Sequence, residues 1–84
     1  MDNDRFKKMD DSIQQWIRDN KRLVATPEMV ISKLVDEEFY VDSETGLKLF
    51  LKEMKSLSKK EQREHFNIHR IGVNEIKFKN RENF

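Results

Sequence analysis

The sequence of 84 residues has no cysteine, one proline and two glycines, and it contains no long apolar run. Without cysteine the chain has neither a disulfide framework nor a thiolate metal site, which suits a reducing cytoplasm. A membrane-spanning helix needs roughly 18 continuous apolar residues, and a signal peptide needs a shorter apolar stretch near its start. No segment here meets either requirement. We therefore expect a cytoplasmic protein without a membrane partner.

Residue patterns that support catalysis or metal binding are also scarce. Neither glycine belongs to a phosphate-binding loop or a nucleophile elbow, and the spacing of the serines groups none of them with a histidine and an aspartate. Glu61, His65 and His69 recur every four residues, so a continuous helix would turn all three toward one metal ion, whereas a strand would spread the histidines apart. No HExxH motif accompanies them. We interpret the histidines as polar surface and predict no enzyme, no metal site and no cofactor.

Charge is abundant, at 39% of the residues, and it is unevenly distributed. Residues 1–51 hold 8 basic and 11 acidic side chains, a net charge of −3, whereas residues 52–84 hold 9 and 5, a net charge of +4. Such a split can steer a polyanion toward the basic end of the molecule, although solubility alone would tolerate the same split.

Apolar residues recur every three or four positions through most of the chain, which is the spacing of amphipathic helices. The pattern predicts a first helix over 3–19, a second that begins at Thr26-Pro27 and stops near the acidic run at 36–38, and a third over 43–57 capped by Asp42 or Ser43. Trp16 falls on the apolar stripe of the first helix, so we expect it in the core. A short apolar run at 23–25 is long enough for a single β-bridge to a hairpin near the end of the chain.

The last third of the chain changes its period. The Ser-x-x-Glu pattern of Ser58 to Glu61 predicts a short fourth helical turn over 59–64. After it, apolar residues alternate with polar ones around a predicted tight turn at 71–74, which indicates a β-hairpin. The alternating apolar residues are Phe66, Ile68, Ile76 and Phe78. The predicted fold is α+β and mostly α, with three helices followed by a C-terminal hairpin in a single domain over residues 1–84.

Basic residues surround the predicted hairpin and follow the polar face of the third helix. Arg70, Lys77 and Lys79 should point away from the apolar side of the hairpin. Such a cluster can neutralise phosphates by an electrostatic attraction that does not depend on base sequence. The alternative interpretation is an ordinary solvated face that is rich in lysine. The candidate nucleic-acid-binding residues are Thr45, Lys48, Lys52, Lys59, Lys60, Arg63, Arg70, Lys77 and Lys79.

Acidic residues surround the start of the third helix and would repel phosphates there. They are Asp36, Glu37, Glu38, Asp42 and Glu44. Either these acids face away from a nucleic acid, or contact shifts to the far half of the helix and the hairpin, or this surface binds a basic protein partner. The last alternative predicts a protein-interaction module, such as an inhibitor or adaptor, that uses the acids or exposed Leu49 and Phe84.

The order of these elements resembles the winged-helix superfamily of DNA-binding domains, in which two helices form a helix-turn-helix and a hairpin reaches beside them. The segments at 57–61, 69–72 and 76–78 are also similar to the C-terminal DNA-binding domains of phage and plasmid primase-helicases. The resemblance implies a three-helix winged helix-turn-helix in a small DNA-binding protein of a phage or mobile element, acting in replication or transcription control. It implies that Lys59, Lys60, Arg63, Arg70, Lys77 and Lys79 face DNA. Neither the residues nor the resemblance distinguishes single-stranded from double-stranded DNA, or a monomer from a homodimer.

Overall fold

Seven elements form the fold in a computed structural model that describes residues 3–70 and 75–82, without the side chains of Asn3 and Arg70. They are α1 (Asn3–Asp19), β1 (Val24–Ala25), α2 (Pro27–Asp36), α3 (Ser43–Ser56), α4 (Lys59–Phe66), β2 (Ile68–Arg70) and β3 (Ile76–Lys79). The strands form one antiparallel sheet in the order β1-β3-β2. The described part of the chain is thus α+β and mostly helical, and none of its helices combines the length and apolarity needed to cross a membrane.

The core lies between the helices and one face of the sheet. Helix α1 contributes Met9, Ile13 and Ile17, which are fully buried and follow one another every four residues. Aromatic rings join the sheet to the helices: Phe78 of β3 stacks on Phe50 of α3 with 5.7 Å between ring centroids and an interplanar angle of 11°. Phe78 also meets Phe66 of α4 edge-on at 6.4 Å. These contacts fix the orientation of β3 relative to both helices.

The predicted fourth helical turn over 59–64 is present and is a full helix of eight residues, so the described part of the chain has four helices and not the three of the predicted fold. Its predicted capping box is present: the Ser58 hydroxyl accepts a hydrogen bond from the Glu61 N–H at 3.1 Å, and the Glu61 carboxylate accepts one from the Ser58 N–H at 3.0 Å. The helix continues through Phe66, which we had predicted as a strand residue, and ends at Asn67 in the left-handed conformation with φ 52°. The predicted turn at 71–74 lies outside the described residues.

Helix α4 also provides hydrogen bonds to the carboxyl end of α3. The buried amide of Gln62 donates to the carbonyl oxygens of Met54 at 2.7 Å and Leu57 at 3.3 Å. The last carbonyl groups of a helix have no partner within the helix, so a side chain from the next element can satisfy them. The contact couples the position of α4 to the end of α3.

The other helix starts agree with the predicted positions, but one predicted cap differs. The Asp42 carboxylate caps α3 by accepting from the Thr45 N–H at 2.8 Å. Thr26 precedes α2 in an extended conformation, yet its hydroxyl makes no capping hydrogen bond within the described residues. The N–H of Met29, a usual partner for such a cap, donates instead to the Thr26 carbonyl oxygen at 3.0 Å.

Trp16 is only partly buried and packs against the edge of the core.

Gly46 is buried in the first turn of α3 against the ring of Tyr40. A Cβ atom at this position would lie 2.8 Å from the Tyr40 Cβ and 3.2 Å from the Tyr40 Cγ. Tyr40 cannot easily retreat, because its hydroxyl donates to Glu53 at 2.9 Å and its ring lies 6.0 Å from that of Phe50. The glycine is therefore required by the close approach of the loop that joins α2 to α3.

Gly46→Ala is expected to destabilise the protein. Alanine at an ordinary helical position would stabilise it by about 1 kcal/mol relative to glycine, but overpacking a core costs roughly 1 to 3 kcal/mol. We expect a net loss of about 1 kcal/mol in the free energy of unfolding, measured by urea denaturation. Thr45→Ala, at the exposed neighbouring position, is the control and should change stability less. An increase in stability for Gly46→Ala would contradict the close packing of Tyr40.

The chain after β3 is held against α1 by a partly buried ion pair. The Arg81 Nε donates to the Asp10 Oδ2 at 3.1 Å, and the Asp10 side chain is 13% exposed. The Arg81 N–H donates to the buried Gln14 amide oxygen at 3.0 Å. The second oxygen of Asp10 has no hydrogen-bond partner among the described residues. Burial raises the pKa of Asp10 above its ordinary value of 3.8, and the Arg81 guanidinium opposes this shift.

Asp10→Asn is expected to remove one component of the pH dependence of stability. Because the pKa of Asp10 is raised in the folded state, the contribution of this group to stability is fully present below its ordinary value of 3.8. That contribution is lost as the pH rises through the folded-state pKa. Urea unfolding of both proteins between about pH 3.5 and 7 measures this effect. The free energy of unfolding of the wild type minus that of Asp10→Asn should decrease as the pH rises. A difference that is independent of pH would contradict the raised pKa.

Candidate nucleic-acid interface

The outer face of the sheet, opposite the core, carries basic side chains from β3. Ile76 and Phe78 are buried, and side chains alternate along a strand, so Lys77 and Lys79 lie on the other face. Lys79 is exposed and Lys77 is partly exposed. The structure therefore places these two predicted site residues on the solvent side of the sheet.

The strand register gives His69 a position beside these lysines. His69 pairs with Lys77 across β2 and β3, whereas Arg70 pairs with Ile76. The sequence had grouped Arg70 with Lys77 and Lys79, but in this register the residue opposite Lys77 is His69. The side chain of Arg70 lies outside the described part of the chain.

A concavity of about 280 Å³ lies between α4 and β2. Its lining consists of Lys59, Gln62, Arg63, Ile68 and His69. Lys59 and Arg63 are one helical turn apart on α4, so they share a face of that helix. Partial burial lowers the pKa of His69 below its ordinary value of 6.5, and the positive charges of Lys79 and Arg63 lower it further. His69 is therefore in electrostatic contact with basic residues of both α4 and β3.

A second groove, of about 430 Å³, runs between the start of α2, α3 and β3. It is lined by Thr26, Pro27, Glu28, Leu51, Lys55, Glu75, Ile76 and Lys77. Lys77 thus connects this groove to the outer face of the sheet, and Lys55 extends the positive charge onto α3. Glu28 and Glu75 offset part of that charge inside the groove.

These neighbouring side chains form one surface, which we call the basic face. It consists of Lys55, Lys59, Arg63, His69, Lys77 and Lys79. Four of the residues predicted from the sequence belong to it. Thr45, Lys48 and Lys52 are exposed on α3, the helix that supplies Lys55, but no described contact joins them to the sheet. Lys60 is exposed on α4, with its Nζ 4.0 Å from a carboxylate oxygen of Glu64.

The predicted acidic residues are all exposed, and they flank the loop that leads into α3. We call residues 36–44 the acidic segment. Glu37 pairs with Lys33 at 3.0 Å, and the Asp42 carboxylate caps α3. Between the acids, Val41 is 95% exposed. The acidic segment therefore combines negative charge with one solvent-exposed apolar side chain.

Two residues of the basic face, Lys55 and His69, were not among the predicted site residues. Lys55 follows Lys52 by three positions, and this helical spacing is the signal that would have included it. Glu61, His65 and His69 do not share a continuous helix, because α4 ends at Phe66. The ring of His65 instead lies 5.5 Å from that of Phe6. Across residues 3–70 and 75–82 no three histidine or acidic side chains are grouped as a metal site would require.

No protein-family model, curated protein or solved structure matches this chain.

Proposed function

We propose that the chain is a small winged-helix DNA-binding protein that contacts the nucleic-acid backbone through the basic face and the exposed side of α3. The observation that carries the proposal is the position of His69, which lies beside Lys77 and Lys79 on the outer face of the sheet and near Arg63 of α4. Clustered cations of this kind neutralise phosphates and release counterions. We propose binding without catalysis, in replication or transcription control of a phage or mobile element.

The arrangement of the elements supports the winged-helix part of the proposal. Helices α2 and α3 follow each other through a short loop, as the two helices of a helix-turn-helix do. The short strand β1 precedes α2 and pairs with β3, so the sheet lies beside these helices. In this proposal β2 and β3 are the wing, and α4 is an added helix between the helix-turn-helix and the wing.

The charges on α3 indicate which part of the helix would contact the nucleic-acid backbone. Its first turn follows the acidic segment and carries Glu44, which would repel phosphates. Its second half carries Lys52 and Lys55, and Lys55 lines the groove shared with Lys77 of β3. Contact would therefore be made by the second half of α3 together with the sheet. Contacts to phosphates position a protein but carry no direct sequence information.

The salt dependence of DNA binding tests this function. If four to six phosphates are neutralised, the logarithm of the association constant should fall against the logarithm of salt concentration with a slope between about −3.5 and −5.5 for duplex DNA. Fluorescence anisotropy with labelled single- and double-stranded oligonucleotides measures the slope and the preferred form. A lack of binding to both forms at roughly 50 mM salt would contradict the proposal.

The exposure of Val41 within the acidic segment favours one alternative function. In this alternative the chain is an inhibitor or adaptor that binds a basic protein surface through residues 36–44. Neutralisation of Asp36, Glu37 and Glu38 to their amides should then abolish partner binding in a pull-down and leave DNA binding intact. Retention of every partner by the triple variant would count against the alternative.

A further inference from the structure

We propose that the concavity between α4 and β2 is a phosphate subsite, in which Lys59, Arg63 and His69 hold one backbone phosphate of a nucleic acid and His69 takes up a proton on binding. The inference rests on the proposed function for the source of the phosphate. It goes beyond that function by naming the residues that hold one phosphate group and by coupling binding to pH.

The composition of the concavity is suited to an anion. Its lining contains three nitrogen-bearing side chains that can carry positive charge and no carboxylate. An arginine guanidinium presents paired N–H donors that match phosphate oxygens, and a lysine ammonium adds a point charge. The Gln62 amide donates to the end of α3, so it fixes one wall of the concavity, and Ile68 contributes an apolar wall.

The two cations that α4 contributes to the concavity are not neutralised within the described part of the chain. Neither Lys59 nor Arg63 forms an ion pair with a carboxylate among residues 3–70 and 75–82. The nearby acids on α4 have other contacts: Glu61 accepts from the Ser58 N–H, and Glu64 lies near Lys60. The positive charge of the concavity is thus available to an external anion.

The surroundings of His69 explain the coupling to pH. Arg63 and Lys59 face it from α4, Lys77 and Lys79 lie beside it on β3, and the Asn67 amide oxygen is 3.4 Å from its Nε2. Burial lowers the pKa of His69 below 6.5, and the charges of Lys79 and Arg63 lower it further, so the ring is mainly neutral at neutral pH. A bound phosphate supplies the opposite charge and favours the imidazolium, which can then donate a hydrogen bond to a phosphate oxygen. Affinity should therefore rise as pH falls.

The first arm of the test uses inorganic phosphate and the full chain. The ring proton resonances of His69 are followed by NMR through a pH titration, with and without phosphate. Phosphate should move the His69 titration midpoint to higher pH, and Arg63→Gln should reduce this movement. Lys33→Gln is the matched control, since it removes the same charge from a residue that pairs with Glu37 on α2. An unchanged His69 midpoint in phosphate would overturn the subsite.

The second arm uses DNA. If one proton is taken up per bound phosphate, the affinity can change by at most about tenfold per pH unit. We expect DNA binding to be roughly three- to tenfold tighter at about pH 6 than at about pH 7.5. His69→Gln should lose this pH dependence, and Lys33→Gln should retain it. A 5′-phosphorylated and a 5′-hydroxyl oligonucleotide of the same sequence should bind alike if a backbone phosphate occupies the subsite. A requirement for the 5′-phosphate would overturn the assignment to the backbone.

The two arms separate the failure of the subsite from the failure of the proposed function. If DNA binds with a steep salt dependence but His69→Gln keeps the wild-type pH dependence, the subsite is wrong and the DNA-binding function stands. If phosphate moves the His69 midpoint but neither DNA form binds, the concavity is an anion site and the DNA-binding function is wrong.

Discussion

Replacement of Lys77 and Lys79 together by glutamate is expected to weaken DNA binding by at least about 50-fold at 0.1 M salt. Each phosphate contact contributes about 0.9 to the salt slope, so two lost contacts lower the slope by about 1.8 units, which corresponds to about 60-fold at this salt concentration. Repulsion between the new carboxylates and the phosphates adds to the loss. Both lysines lie on the outer face of the sheet, so the core contacts of β3 stay unchanged.

The measurement is fluorescence anisotropy of a labelled oligonucleotide at several salt concentrations, with circular dichroism to verify folding. Lys7→Glu with Lys8→Glu is the matched control, because it makes the same change in net charge at two exposed positions of α1 outside the basic face. The control should keep a salt slope close to that of the wild type. Equal losses of affinity in the two double variants would mean that net charge, and not the basic face, governs binding. Unchanged affinity of the Lys77 and Lys79 variant would contradict the proposed wing.

The helical part of the fold could be predicted because its signals are local. Helix α2 begins where proline follows threonine, and α1 and α3 follow stripes of apolar residues at helical spacing. The small strand at 23–25 was predicted from its short apolar run and from the winged-helix resemblance, as a bridge to the hairpin. Its pairing with β3 is tertiary, but a short strand beside a hairpin has few other positions available.

The region around Phe66 could not be assigned from periodicity. Phe66 and Ile68 are both buried and two positions apart, so they imitate the alternation of a strand. A left-handed residue, Asn67, separates the helix from the strand. Asparagine adopts this conformation more often than most residues, but it is also common in the loops that flank strands, so the residue type alone did not place the end of the helix. The error shortened the predicted fourth helix and hid the concavity, because the proximity of Arg63 and His69 depends on how α4 lies beside β2.

The candidate site was predictable only where a single element defines it. Lys77 and Lys79 alternate with two buried residues of the same strand, so their outward position follows from sequence. The place of His69 opposite Lys77 depends on the register, and the approach of Lys55 to β3 depends on how α3 packs against the sheet. Neither relation is encoded in local spacing.

Phe78→Ala is expected to reduce the free energy of unfolding by about 3 to 5 kcal/mol, the usual cost of removing a buried phenylalanine ring. Phe78 is fully buried on the central strand, and its ring contacts Phe50 and Phe66. The variant would leave a cavity between α3, α4 and the sheet. Since small domains are stable by only about 5 to 15 kcal/mol, much of the total stability would be lost.

Two further variants make this prediction specific to the aromatic core. Phe78→Leu keeps an apolar side chain and should cost less than Phe78→Ala, because less volume is lost. Trp16→Ala removes a larger side chain, but Trp16 is only partly buried at the edge of the core, so we expect it to cost less as well. Urea denaturation of the three variants gives the order directly. If Trp16→Ala were the most damaging, the stability of the fold would depend on the edge of α1 more than on the ring contacts of β3.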